Sequence, residues 1–148
     1  MSALNRPILV VEDDANDFFF LKRAFGIAQI QNQFCHVENG QQAIDYLRGV
    51  SPFSDRTAYP LPSLILLDLK LPIKHGFEVL TWIKQQPLLR GIIVVIFTSS
   101  NEESDVAKAY EMGANAFLVK PTSAEKLTEI ARAIEVFWLR QNRFKARP

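Results

Sequence analysis

Three short apolar runs, each ending in a single polar residue, constrain this chain more than any other feature. Leu64-Ile-Leu-Leu67 runs into Asp68, Ile92-Ile-Val-Val-Ile-Phe97 into Thr98, and Ala116-Phe-Leu-Val119 into Lys120. A fourth run, Ile8-Leu-Val-Val11, stops at Glu12, Asp13 and Asp14. Continuous rather than alternating apolarity suits strands covered on both faces, as in a parallel sheet flanked by helices. The intervening sequence supplies the helices. Phe18, Leu21, Phe25 and Ala28 recur at spacings of three and four, which predicts an amphipathic helix capped by Asp14 or Asn16. Gln33 to Val37 reads as a weaker strand, and Gln41 to Leu47 as a helix ending at Gly49. Gly76 to Gln86, Glu103 to Met112 and Ser123 to Gln141 read as the remaining helices. Five βα units in alternation predict an α/β protein, a doubly wound five-stranded parallel sheet. Ser51 to Pro62 breaks the alternation with three prolines, and reads as one irregular surface loop within about 50–62.

With 148 residues, 48% of them apolar, the expectation is one domain over residues 1–148 with a core that needs no staples. The balance of 17 basic against 16 acidic side chains leaves a formal charge of +1, so no global field draws the chain to nucleic acid or an anionic membrane. Cys35 stands alone and reads as a small strand residue. The N-terminus lacks the apolar run of a signal peptide, and no stretch approaches the roughly 18 to 20 apolar residues of a membrane span. A cytoplasmic protein is expected, with no nucleic-acid or membrane partner. Arg140, Arg143, Lys145 and Arg147 form a basic tail that reads as a solvated end of the extended segment 123–148.

In open parallel sheets the ligand site lies beyond the carboxyl ends of the strands. The predicted ends put Glu12, Asp13, Asp68, Thr98 and Lys120 on one rim. Carboxylates packed together repel unless a cation sits among them. Mg²⁺ suits this supply of oxygen ligands with no His or Cys nearby. Lys120 can neutralise Asp68 or an added phosphoryl oxygen, and the Thr98 hydroxyl can donate to that group. His36 and His75 have no ligand partner in the sequence and read as surface or strand residues. Asp14 and Asp17 stand close enough in sequence to touch the metal region, but a cap or a solvated first-turn carboxylate is the preferred reading of each, and both are left out of the expected site.

Val10-Val-Glu-Asp-Asp14, Leu67-Asp-Leu-Lys-Leu-Pro72 with Gly76, Phe97-Thr-Ser-Ser100 and Gly113-Ala-Asn-Ala-Phe-Leu-Val-Lys-Pro121 together resemble response-regulator receiver domains, over nearly the whole chain. The proline-containing loop before Leu64 and the Phe137-Trp-Leu139 ending resemble stand-alone regulators paired with bacterial, especially cyanobacterial, phytochrome kinases. The resemblance implies the flavodoxin-like (βα)5 receiver fold and a phosphoacceptor rather than an enzyme, one that catalyses its own phosphotransfer and slow dephosphorylation. Asp68 would take the phosphoryl group from a histidine kinase, and Glu12, Asp13, Asp68 and the Lys70 backbone carbonyl would hold Mg²⁺. Thr98 and Phe117 would form the switch, and Lys70 and Ser100 would tune hydrolysis. Phe117 stands where many relatives carry tyrosine, so its state is read by shape. The Lys120–Pro121 bond is a candidate for cis.

Phe19 lies opposite the apolar stripe of its helix and is expected to be exposed, either as a scattered surface residue or as part of a kinase-docking surface. On the last helix Leu127, Ile130, Ala131, Ile134, Phe137 and Trp138 read as the core stripe. Val136 and Leu139 are then left facing out, and with Phe144 they suggest a homodimer through this helix. Three rival functions remain. A flavodoxin-like cofactor binder would need a phosphate loop where Glu12, Asp13 and Asp14 stand. A metal-dependent phosphohydrolase using Asp68 would need a general acid and a cap. A phosphorylation-independent receiver-like interaction module is opposed only by the intact acceptor set.

Overall fold

The computed structural model describes residues 6–141. Five strands, β1 (Ile8–Val11), β2 (Phe34–Val37), β3 (Leu64–Leu67), β4 (Ile93–Thr98) and β5 (Ala116–Val119), form one parallel sheet in the order β2-β1-β3-β4-β5. Between and after them lie α1 (Ala15–Ile27), α2 (Gly40–Arg48), α3 (Gly76–Gln85), α4 (Glu103–Glu111) and α5 (Ala124–Ile134). This is the doubly wound parallel architecture expected from the apolar runs.

Side chains alternate between the two faces of the sheet. Leu9, Val11, Ile65, Leu67, Val94 and Ile96 face a core closed by α2, α3 and Ala109 of α4. Ile8, Val10, Leu64, Leu66, Val95 and Phe97 face a second core closed by α1 and α5. The central strands β1 and β3 are buried throughout, whereas β5 is half-exposed at the sheet edge. No helix among the described residues is long and apolar enough to cross a membrane.

Local signals set the helix ends. Asp14 caps α1 by accepting from the amides of Asn16 and Asp17. Gly49 closes α2 with φ of 72°, a left-handed conformation that glycine adopts without steric cost. His75 has a role that its sequence context did not suggest. Its Nδ1 accepts from the Phe77 amide at 3.2 Å, while the His75 amide donates to the Glu78 carboxylate at 3.4 Å, a reciprocal cap on α3.

Three expectations need correction. The segment 51–62 is irregular but not simply a surface loop. Phe53 and Tyr59 pack around the buried Tyr46 with ring centroids 5.3 and 6.0 Å away, and the Arg56 guanidinium donates to the Tyr46 and Leu47 carbonyls at the end of α2. The cis bond among the described residues is Ser51–Pro52, not Lys120–Pro121.

The third correction concerns the last helix. After Ile134 the chain continues as a π-helical segment, Glu135–Gln141. At 100° per residue Leu139 would lie about 140° round from Ile134. The i→i+5 bonding of a π turn puts more residues in each turn, so Leu139 returns to the side of Ile134 and Phe137 swings out. Leu139 is accordingly 2% exposed and Phe137 57%, the reverse of the expected arrangement, while Val136 is exposed as expected. Trp138 keeps its place against the α1/α5 core. Phe144 and the basic tail beyond Arg140 lie outside the described residues.

Candidate functional site

The site is assembled by strand register. β1 and β3 pair Val11 with Leu67, so the next residues, Glu12 and Asp68, leave the sheet side by side. The Glu12 amide donates to the Val37 carbonyl at 3.0 Å, and the Asp68 amide to the Val11 carbonyl at 3.2 Å. Lys120 follows β5, with its amide donating to the Thr98 carbonyl at 2.8 Å. Gly76 lets the start of α3 approach Asp68 closely, since a Cβ there would lie 2.3 Å from the Asp68 carbonyl oxygen.

Glu12, Asp13 and Asp68 each offer a carboxylate oxygen within 4.8 Å of the others. Glu12 and Asp68 are buried and Asp13 is exposed, so the cluster opens to solvent on one side. The Lys120 ammonium lies 2.8 Å from Asp68 Oδ2, 2.9 Å from Asp17 Oδ2, and in a salt bridge with Glu12. Burial pushes the Glu12 carboxyl up to about 7, against the pull of Lys120, and the neighbouring Asp68 adds to the rise. Burial works against the Lys120 ammonium too, but its bonds to Asp68, Glu12 and Asp17 outweigh that and hold its pKa above the ordinary lysine value. Hard oxygen donors at this spacing, two of them short of compensating charge, fit a divalent cation.

Of the other expected site residues, Thr98, Lys70 and Ser100 lie at or just past the strand ends, whereas Phe117 lies within β5. Thr98 is fully buried at the end of β4, and its hydroxyl accepts from the Ser100 amide at 3.5 Å. Lys70 is exposed, with its amide 3.4 Å from Asp68 Oδ1. Phe117 is half-buried and packs against the α2/α3 core. Ser100 donates to Asp105 Oδ2 at 2.6 Å, tying the loop after β4 to the first turn of α4.

Sequence reasoning missed Asp17. It was read as a solvated first-turn carboxylate, yet it is the third acidic partner of Lys120. Its position three residues after the α1 cap is the one signal that could have revealed it, because that turn rises from the rim carrying Glu12. Phe19 is 60% exposed as expected, and Phe20, which was not singled out, is 49% exposed. Beside the carboxylates a groove of 320 Å³ runs between α1 and α5, lined by Phe20, Ala24, Ile27 and Leu127 among others and by Asp17 and Lys120.

Residues 8–132 match the family described as response regulator receiver domain. The chain is 37% identical over 134 residues to the response regulator Rcp1 of Synechocystis sp., covering 90% of this chain and 89% of Rcp1. It is equally identical over 136 residues, 92% of this chain and 85% of the relative, to a probable methanogenesis regulatory protein, FilR2, of Methanothrix harundinacea. Among solved structures, the Mn²⁺-bound form of Rcp1 superposes with a TM-score of 0.85 at 35% identity, covering 95% of this chain and 99% of that one. The phosphorylated cyanobacterial phytochrome response regulator RcpA superposes with a TM-score of 0.88 at 32% identity, covering 96% and 99%. A family match over most of the sheet and its helices, with likeness running almost end to end through Rcp1 and RcpA, settles the lineage: this chain belongs to the response regulator receiver domain family.

Proposed function

We propose that the chain, as a single receiver domain over residues 1–148, is a stand-alone cytoplasmic response regulator that accepts a phosphoryl group on Asp68 from a histidine kinase of the phytochrome type. The observation that carries this reading is the convergence of Glu12, Asp13 and Asp68 around one opening with the Lys120 ammonium among them. The likeness to RcpA, a cyanobacterial phytochrome response regulator, supports the phytochrome assignment of the kinase.

In this reading an Asp68 carboxylate oxygen attacks the phosphorus of a phosphohistidine. A P–O bond forms as the P–N bond breaks, and the departing imidazole takes up a proton. Mg²⁺, held by Glu12, Asp13, Asp68 and the Lys70 carbonyl, would spread the charge of the transferring group. Lys120, already bonded to Asp68, offers its ammonium to the new phosphoryl oxygens, and the Thr98 hydroxyl donates its proton to a hydrogen bond with one of them. Phe117 then turns further inward, and the shape of the β5 edge changes. Water later attacks the acyl phosphate and returns Asp68. The exposed Phe19 and Phe20 on α1 supply the kinase-docking surface. Val136 and Phe137, rather than Leu139, supply the apolar face for a homodimer through the C-terminal helix.

The test is intact mass after incubation with acetyl phosphate, with and without Mg²⁺, on the wild type and Asp68→Asn. A Mg²⁺-dependent gain of one phosphoryl, about 80 Da, that disappears in the variant is expected. A wild type that binds Mg²⁺ and never gains mass would replace this reading with that of a phosphorylation-independent interaction module.

A further inference from the structure

His36 lies on β2, the edge strand beside β1, in register with Val10. Its Nε2 is 2.7 Å from the backbone carbonyl oxygen of Glu12. A carbonyl only accepts, so Nε2 carries the proton and donates. The ring is stacked on Phe18 of α1 with centroids 3.8 Å apart and planes 6° from parallel, which fixes its orientation. On the other side of the same residue, the Glu12 amide donates to the carbonyl of Val37, the neighbour of His36 in β2. Glu12 is therefore clamped through both of its own backbone polar groups to two consecutive residues of β2. The strand ladder ends at Val11, so without the imidazole the peptide between Glu12 and Asp13 would have no anchor to β2.

We infer that His36 is a positioning residue for cation binding: by holding the Glu12 carbonyl it sets the direction in which the Glu12 and Asp13 side chains leave β1. This rests on the metal-binding reading of the carboxylate cluster. His36 touches neither the carboxylate oxygens nor Asp68, and its effect passes through the backbone. Outer partners of this kind change metal affinity by about 10- to 100-fold when removed. An indirect backbone anchor belongs at the lower end.

The experiment compares wild type with His36→Phe, which keeps a ring for Phe18 but loses the donor, and His36→Gln, whose amide nitrogen extends as far from Cβ as Nε2 does. Each is titrated with Mg²⁺ by calorimetry, and backbone amide relaxation of residues 12–14 is measured by NMR without metal. The expected result is Mg²⁺ binding weakened about ten-fold in His36→Phe, with greater mobility of the Asp13 and Asp14 amides, and recovery of both in His36→Gln. If His36→Phe does not fold, His36→Asn, too short to reach the carbonyl, replaces it with the same expectation. Wild-type affinity and unchanged relaxation in the donor-less variant would overturn the inference. A wild type that binds no Mg²⁺ would sink the metal reading instead, and the relaxation comparison would still decide whether His36 orders the loop.

Discussion

The π-helical ending makes a prediction that an uninterrupted α-helix would reverse. Leu139 is 2% exposed and packs with Ile134 and Ala131 in the α1/α5 core, whereas Phe137 is 57% exposed. Leu→Ala at a buried site costs about 2–5 kcal/mol, the upper values belonging to sites that cannot collapse. The lower half of that range, about 2.5 kcal/mol, is enough to decide the order of the two substitutions. Phe137→Ala removes a ring that is already mostly in water and should cost less than about 0.5 kcal/mol. Urea unfolding followed by circular dichroism separates the two. With a slope of about 2 kcal/mol per molar, Leu139→Ala lowers the midpoint by about 1.2 M and Phe137→Ala by no more than about 0.25 M. The opposite order, with Phe137→Ala the more damaging, would mean that the helix keeps its α period beyond Ile134 and that the packing described above is wrong.

Other substitutions probe the rim. Ile73 has φ of 69° and is 75% exposed, a strained backbone for a β-branched side chain that packs little, so Ile73→Gly should raise stability by about 1 kcal/mol in urea melts. Gly76→Ala should destabilise by about 2 kcal/mol or more and shift the NMR signals of Asp68, because the added Cβ meets backbone rather than a yielding side chain. Asp14→Ala removes the cap of α1 and should cost about 1 kcal/mol in the same melts. Mg²⁺ at ten times its dissociation constant should stabilise the wild type by about 1.4 kcal/mol, read as a rise in thermal midpoint, and Asp13→Asn should remove most of that gain.

What the sequence disclosed follows from where each signal resides. Asp68, Thr98 and Lys120 each end a continuous apolar run, and in a parallel sheet a run that stops is a strand reaching its carboxyl end, so the rim could be read without coordinates. Glu12 and Asp13 followed for the same reason. Asp17 did not, because its bond to Lys120 crosses 103 residues of sequence and nothing local distinguishes it from a solvated acid. His36 lies on a strand as expected, but its contact with the Glu12 carbonyl was hidden because β2 is a half-buried edge strand whose side chains show no strong pattern. The reversed order of Phe137 and Leu139 was hidden because an apolar wheel assumes one period throughout, and the sequence carries no mark of the change to i→i+5 bonding.

The connection between α2 and β3 has a consequence for how the chain ages and is cut. A twelve-residue, proline-bearing stretch with an arginine and a phenylalanine is what trypsin and chymotrypsin seek when it is free to enter a cleft as an extended strand. Here the Arg56 side chain is occupied by the carbonyls that close α2, and the Tyr46 hydroxyl donates to the carbonyl of Pro60 at 2.8 Å. Lifting the scissile bonds away therefore means undoing the end of a helix and uncovering Tyr46. Digestion there reports partial unfolding, and the segment resembles a fitted cover over Tyr46 and the end of α2 more than a tether between two elements.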